Sequence, residues 1–486
     1  MQTIEVIIRN RTTQFQCDAE TQALLKPFFR YRPPGFQFSP KFKAWKLAME
    51  QQTIDPDEYN SGLWDGWVGF HRYKAVPTGL FLTEQSKLEE HFHLQISDLR
   101  ERPKFRSLDD MHMKRARPSQ LECLKSMIGA SDVGGLVISA TGSGKTYSVG
   151  LYFSCLDGSA VFIVDEKTLM HQALMELRSI LGDEEVGEVG MGLFNPKRIT
   201  VATMQTLSRH QDQKDFQKWF NSLDAIVIDE IHQAVNRSNI GIVKDVKPSA
   251  VFGLTATLEL NKEHIRMPVV ALSGPMIFDY SLEQSTEDGH TTKGKIVAVE
   301  IHQVGNAFDS PQTSYEHLIV RSRKRNDCIE AITREALRLK KTTVVLTERR
   351  RHLRILSARI KDLPHQVLSG EYSQETRVNA KDKMNAKTLP LILASRVFYK
   401  GIDIKTIDCI IDATGRPGRN AAIQRYGRGV RKAEGKEELL YIDISDAGDR
   451  NPMTAMTHSR HAAFREIKVP ITRVVWSGDA RKIFNA

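Results

Sequence analysis

From about residue 117 onward, short runs of apolar residues alternate with stretches whose apolar positions recur at helical spacing. The runs Gly135–Ser139, Ala160–Val164, Ile199–Thr203, Ala225–Asp229 and Val251–Thr255 show no polar alternation. Strands of that kind are covered on both faces, as in parallel sheets flanked by helices. Helical sequence lies between several of them, which predicts a doubly wound α/β domain with ligands gathered at the carboxyl ends of its strands. Chemistry is therefore expected directly after each run. A polar stretch, Ser281–Lys295, interrupts the pattern, and the alternation resumes with Thr342–Thr347, Leu389–Ser395, Asp408–Ala413 and Leu439–Ile444. The expected organisation is α/β: two parallel-sheet domains in tandem, at 108–290 and 291–450, then a C-terminal extension at 451–486. Ahead of them, residues 1–107 read as a small α+β domain, with a strand at Ile4–Ile8, a helix at Glu20–Phe29 and an aromatic, glycine-punctuated stretch from Tyr31 to Tyr73. A chain of 486 residues requires such a division, because single cores stop growing at roughly 250–300 residues.

Composition changes this picture little. The chain is 41% hydrophobic and 26% charged, and no stretch approaches the ~20 apolar residues that span a bilayer, so no membrane association is expected. The first residues lack the basic and then apolar pattern of a secretion signal, which predicts an intracellular, cytoplasmic protein. Its 5 cysteines are scattered, without a CxxC pair, and imply neither a disulfide framework nor a zinc site. Charge is more informative in its distribution than in its total of +10. Residues 118–290 hold 14 Lys and Arg against 22 Asp and Glu, and residues 291–486 hold 37 against 22. A basic later portion suits a polyanion-binding face, although scattered solvated lysines give the same surplus.

The first chemistry-bearing motif follows the first run: Ala140-Thr141-Gly142-Ser143-Gly144-Lys145-Thr146. Glycines let backbone N–H groups turn in around phosphates, and the following helix N-terminus adds partial positive charge. Lys145 would reach the β and γ phosphates of ATP and Thr146 would ligate Mg²⁺. Ser139 stands where the strict pattern has glycine. A phosphate loop needs an acid on a neighbouring strand, and Asp229-Glu230-Ile231-His232 supplies one at the end of a run. Asp229 can hold Mg²⁺, and Glu230 can position and deprotonate a water. Gly253–Thr257 follows the next run, with hydroxyls able to bond the acidic motif. Far downstream, Gln424, Arg428 and Arg431 fall at spacings of four and three, which predicts one helical face able to stabilise charge on a transferring phosphoryl group. Individually each has a bland reading: a glycine turn, a solvated acidic turn, a basic surface helix. Their order together does not.

The ordered set Arg117–Gln120, Ala140–Thr146, Asp229–His232, Gly253–Thr257, Ser395–Asp403 and Gln424–Arg431 resembles the motif series of superfamily 2 helicases of the DExH branch, over roughly two thirds of the chain. The resemblance implies two RecA-like P-loop NTPase domains and ATP hydrolysis coupled to movement on nucleic acid. Arg117 and Gln120 would recognise adenine, His232 would couple hydrolysis to motion, and Gly401 and Asp403 would touch both nucleotide and nucleic acid. Arg428 and Arg431 resemble arginine fingers. Nucleic-acid contacts are implied at Lys167, Thr168, Thr203, Thr206, Thr347, Ser369 and Ser395, gripping phosphates without reading sequence.

The N-terminal sequences Phe28–Lys43, Gly62–Phe70 and Val76–Leu80 are similar to the front of phage UvsW-type helicases, a family that remodels branched DNA. Tyr31, Phe36, Phe38, Trp64 and Trp67, interleaved with Arg30, Arg32, Lys41 and Lys43, could form a stacking and phosphate-binding surface or the core of a small domain. The expectation is an ATP- and Mg²⁺-dependent DNA helicase, a monomer or weak oligomer, acting on forks or four-way junctions in recombination, replication or repair. A restriction-type duplex translocase, an RNA helicase and a nucleotide-gated scaffold remain as alternatives.

Overall fold

The computed structural model describes residues 2–51, 63–71, 74–235, 248–256, 258–305, 310–395, 404–416 and 418–486. Contacts divide the chain into two units: Met1–Ser139 with Gly144–Asp279, and Ala140–Ser143 with Tyr280–Ala486. No helix among the described residues is long and apolar enough to cross a membrane.

The first unit opens with strands β1 (Gln2–Ile8), β2 (Thr12–Gln16), β3 (Arg30–Tyr31), β4 (Val68–Gly69), β5 (Ala75–Pro77) and β6 (Phe92–Asp98). Four of them form a sheet of order β5-β2-β1-β6, with β1 antiparallel to β2 and parallel to β6. Period-two burial is visible in β1, where Ile4, Val6 and Ile8 point inward. They pack with Phe15, Phe29, Leu80 and Phe81, and also with Met267 and Val270 of the helix Glu263–Ser273. Gly79 makes that packing possible, since a Cβ there would overlap the backbone of Val270 and Gly274. Arg11 donates to the carbonyls of Val133 and Leu272, pinning the β1–β2 turn to the next sheet.

That sheet has eight strands: β7 (Gly134–Ser139), β8 (Ala160–Val164), β9 (Val186–Gly190), β10 (Leu193–Asn195), β11 (Ile199–Thr203), β12 (Ala225–Ile228), β13 (Ala250–Thr255) and β14 (Met276–Tyr280). Their order is β10-β9-β11-β8-β12-β13-β7-β14, and the five pairings from β9 through β7 are parallel. The apolar runs read from the sequence are these buried central strands, with cores on both faces. One expectation is corrected: the acid-bearing strand β12 is not beside the loop-bearing strand β7, because β13 lies between them.

The second unit holds β15 (Lys293–His302), β16 (Thr343–Leu346), β17 (Gln366–Leu368), β18 (Leu391–Ala394), β19 (Cys409–Asp412), β20 (Glu438–Ala447) and β21 (Ile471–Val475), in the order β17-β18-β16-β19-β20-β15-β21. Every pairing in it is parallel. Two readings change here. The polar stretch taken as a boundary already contains the start of β15, a ten-residue strand that pairs along its full length with β20. Residues 451–486, expected as a C-terminal extension, are built into the domain: they supply the helix Met453–Glu466, the edge strand β21, and Ala480 and Ile483 to the core.

Candidate active site

The glycine-rich loop leaves β7 and enters the helix Lys145–Cys155. Gly142 and Gly144 have φ of +89° and +87°, a region that side chains avoid. Ser139 is absent from the residues with positive φ, so the position where the strict motif carries glycine makes no demand for one. Its carbonyl accepts a 2.9 Å hydrogen bond from Lys145 Nζ, which folds the lysine back along the loop. Thr141, Gly142 and Thr146 are half-buried and Ser143 is buried. Arg117 caps the helix Pro118–Gly129, and Gln120 Oε1 accepts from its backbone N–H at 3.0 Å. The Gln120 amide packs so closely on Gly144 that a Cβ there would overlap it. Arg117, Gln120, Gly144 and Lys145 thus belong to one local arrangement.

The acids end β12. Asp229 donates its N–H to the Ile163 carbonyl at 2.9 Å, and its own Oδ1 accepts from the Glu230 N–H at 3.0 Å. Glu230 holds a left-handed backbone, φ +46°, which costs a non-glycine residue about 1 kcal/mol or more. The turn projects Glu230 toward the end of β13. There Thr255 Oγ1 lies 3.4 Å from Glu230 Oε2 and 3.1 Å from His232 Nδ1, while His232 and Glu230 approach to 3.4 Å. The intervening strand is what supplies this hydroxyl. Gly253 of the same strand lets Ile231 sit against it, since a Cβ would overlap the isoleucine side chain.

Electrostatics tie the loop to the acids. Burial, and after it the Glu230 carboxylate, push the Asp229 pKa up to about 6, against the opposing pull of Lys145. Burial lowers the His232 pKa, a shift that Asp229 opposes and Lys145 reinforces, favouring the neutral ring. A half-buried acid that resists ionisation is suited to a site where a cation offsets its charge.

The remaining expected residues divide by location. Thr203 and Thr206 come together at the end of β11, their hydroxyls 2.8 Å apart. Lys167 is exposed at the start of the helix Lys167–Leu181, which also contains Thr168. In the second unit, Ser369 and Ser395 lie just past β17 and β18, both buried. Thr347 is fully buried, with its hydroxyl 3.4 Å from the Arg349 carbonyl, so it shapes the turn carrying Arg349–Arg351 instead of facing a phosphate. Gly401, Asp403 and Thr257 lie outside the described residues. Gln424 and Arg428 share the helix Arg419–Gly429, half-buried, but Arg431 does not. The helix stops because the Val430 carbonyl is taken by Thr292 N–H, and Lys436 Nζ binds the carbonyls of Gly429 and Arg431. Arg431 instead forms a bridge with Thr291.

Sequence reasoning missed a groove of about 1030 Å³ in the second unit, lined by Tyr315, Arg321, Arg349, Arg350, Arg351 and Ser395 among others. The run Glu348-Arg-Arg-Arg351 was legible as charge, but its partners come from segments well upstream, Ser310 to Arg321, and downstream, Gly370 and Ser395.

Two family models cover this arrangement. Residues 113–260 match the type III restriction enzyme res subunit family, and residues 324–433 match the helicase conserved C-terminal domain. The chain is a superfamily 2 helicase. It is an ATP-hydrolysing enzyme of that superfamily, in which tandem RecA-like domains carry the motifs. It is 22% identical to the ATP-dependent DNA helicase uvsW of Enterobacteria phage T4 over 92% of this chain and 91% of the other. A Saccharomyces cerevisiae protein named as ATP-dependent helicase IRC3 is 24% identical over 65% of this chain, which spans only 49% of that relative. Among solved structures, S. cerevisiae Dbp5 bound to RNA and ADP BeF3 shares the fold, with a TM-score of 0.53 at 14% identity, covering 77% of this chain and 94% of that one.

Proposed function

We propose that this superfamily 2 helicase is an ATP- and Mg²⁺-dependent DNA motor that remodels branched DNA by moving forks or junctions along the duplex. The observation that carries the reading is the extent of the likeness to the phage DNA helicase: at 92% of the chain it must include most of the N-terminal segment as well as the motor motifs.

In this reading, backbone N–H groups of the loop at Gly142–Gly144 and the Lys145 ammonium hold the β and γ phosphates. Thr146 and Asp229 are the groups that would hold Mg²⁺, whose charge would offset the penalty that burial imposes on Asp229. Mg²⁺ would neutralise charge on the transferring phosphoryl group. Glu230 accepts a proton from the attacking water, and Thr255, bonded to both Glu230 and His232, relays the state of the acid. Arg117 and Gln120 select adenine, and Arg428 and Arg431 stabilise the transition state, as the family resemblance implies. The DNA backbone is gripped by Lys167, Thr168, Thr203, Thr206, Ser369 and Ser395.

The test is ATP turnover and strand remodelling measured with fork, four-way junction, plain duplex and RNA. Fork or junction DNA should stimulate turnover most and be converted to regressed or migrated products, and Lys145→Ala should abolish both. Equal stimulation by RNA, or stimulation by duplex without any branch movement, would overturn the reading. The second of those outcomes corresponds to a non-unwinding translocase, which the match to a restriction-enzyme family favours.

A further inference from the structure

A continuous buried chain of hydrogen bonds runs from the arginine-rich groove to the helix that carries Gln424 and Arg428. It begins at Tyr315, which lines the groove, and whose ring lies beneath the guanidinium groups of Arg349 and Arg416 at 5.9 and 5.3 Å. The Tyr315 hydroxyl donates to the Thr414 carbonyl at 2.6 Å. Thr414 donates through its N–H and its hydroxyl to Asp412 Oδ1, at 3.0 and 2.6 Å. The other carboxylate oxygen accepts from the Tyr441 hydroxyl at 2.6 Å and lies 2.9 Å from Arg425 Nε. Arg425 sits on the helix Arg419–Gly429, one residue after Gln424 and three before Arg428.

We propose that this chain, Tyr315–Thr414–Asp412–Arg425 with Tyr441, couples nucleic acid in the groove to the placement of Gln424 and Arg428, so that bound polyanion accelerates hydrolysis. The inference rests on the nucleic-acid reading given above, and names the residues that transmit its effect. Three physical points support it. Asp412, Thr414, Tyr441 and Arg425 are all buried, so no water can take up a lengthened bond, and a shift at one end is passed on. The Asp412–Arg425 pair is costly as a source of stability, because desolvation offsets most of its attraction, whereas its geometry fixes the rotation of the helix. At the groove end the charges are exchangeable. Arg321 and Arg351 both bind Glu316, at 2.8 and 2.9 Å, and such half-exposed pairs are held weakly enough for a phosphate to replace the carboxylate. Arg416, two residues past Thr414, has 3.8 Å to Glu348 and can make the same exchange, moving the Thr414 segment with it.

Thr414→Val and Tyr441→Phe, made separately in the full chain, remove one hydroxyl each and touch neither groove nor nucleotide. ATP turnover without DNA, turnover at saturating fork DNA, KM for ATP and Kd for the DNA are measured for each. The expected result is a fall of about fivefold or more in the DNA-stimulated kcat, with the unstimulated rate, KM and Kd within about twofold of the parent. Full stimulation in both variants overturns the coupling. A parallel fall in stimulated and unstimulated rates also overturns it, since that is what loss of packing alone produces. Should the parent itself show no stimulation by any nucleic acid, the proposed function fails along with the inference. A stimulated parent with fully stimulated variants sinks the inference alone.

Discussion

Asp229 is held where burial and a neighbouring carboxylate both oppose its charge, and its pKa of about 6 has a consequence for stability. A carboxyl raised above its unfolded value adds stability that is complete below that value and is lost as pH rises through the folded pKa. In metal-free protein, Asp229→Asn should therefore raise the unfolding free energy at pH 7.5 by on the order of 1–2 kcal/mol, allowing for solvent that reaches this half-buried side chain. The gain should shrink below pH 6 and vanish near pH 4, as followed by denaturant titration at each pH. The same variant should lose ATP turnover. Glu230→Gln should separate the two acids differently, with turnover falling roughly 10²- to 10⁴-fold while nucleotide binding persists, since a general base acts in the transition state. Single-turnover hydrolysis and fluorescent-nucleotide binding distinguish these outcomes. These residues were legible in the sequence because each follows an apolar run directly. What was not legible is the hydroxyl of Thr255 between Glu230 and His232, which depends on a strand inserted between two motifs.

Close approaches between elements decide how the motifs are held. Gly253 lets the segment beginning at Ile231 lie against β13, so Gly253→Ala should displace the acids and lower kcat by about 10- to 100-fold, with a smaller change in KM for ATP. Steady-state kinetics check this, and an unchanged kcat would show that the segment can yield. The N-terminal sheet is joined to the first parallel-sheet layer by Gly79 and by an ion pair. Glu84, with its side chain only 3% exposed, is 2.7 Å from Arg266. Burial raises the Glu84 pKa, but bonds from Lys87 and Arg266 outweigh it and keep the carboxyl below its ordinary value. Arg266→Ala leaves that carboxylate with Lys87 alone and should cost about 2–3 kcal/mol at pH 7, with less lost as pH falls and Glu84 protonates. Chemical unfolding at two pH values tests the sign. The sequence announced neither contact: both join residues far apart in the chain, and a lone Gly or Glu carries no sign of its partner. The helix Arg419–Gly429 shows the same limit in reverse. Spacing placed Gln424, Arg428 and Arg431 on one face, but Lys436 and Thr292 end the helix first, and only Gln424 and Arg428 share it.

For the whole molecule, the basic surplus after residue 291 is the feature whose reading tertiary structure sharpened most. Arg349, Arg350 and Arg351 line one groove with Arg321. If that groove grips phosphates, replacing the three adjacent arginines with alanine should weaken DNA binding at all sequences alike. It should also reduce the slope of log K against log salt by about 2–3. Fluorescence anisotropy over a salt series measures this, and an unchanged slope would place the DNA elsewhere. By itself, the sequence determined the two parallel α/β layers, the family and the order of the glycine–lysine and acidic motifs along the chain. Those features are local: a strand covered on both faces must be apolar throughout, and a loop that wraps phosphate must carry glycine and lysine in fixed order. Tertiary structure alone decided the strand order that puts Thr255 between Glu230 and His232, the incorporation of residues 451–486 into the second sheet's domain, and the assembly of groove and buried network. Each of those depends on which distant segments pair, a choice made by complementary surfaces and buried hydrogen bonds that leave no periodic trace along the chain.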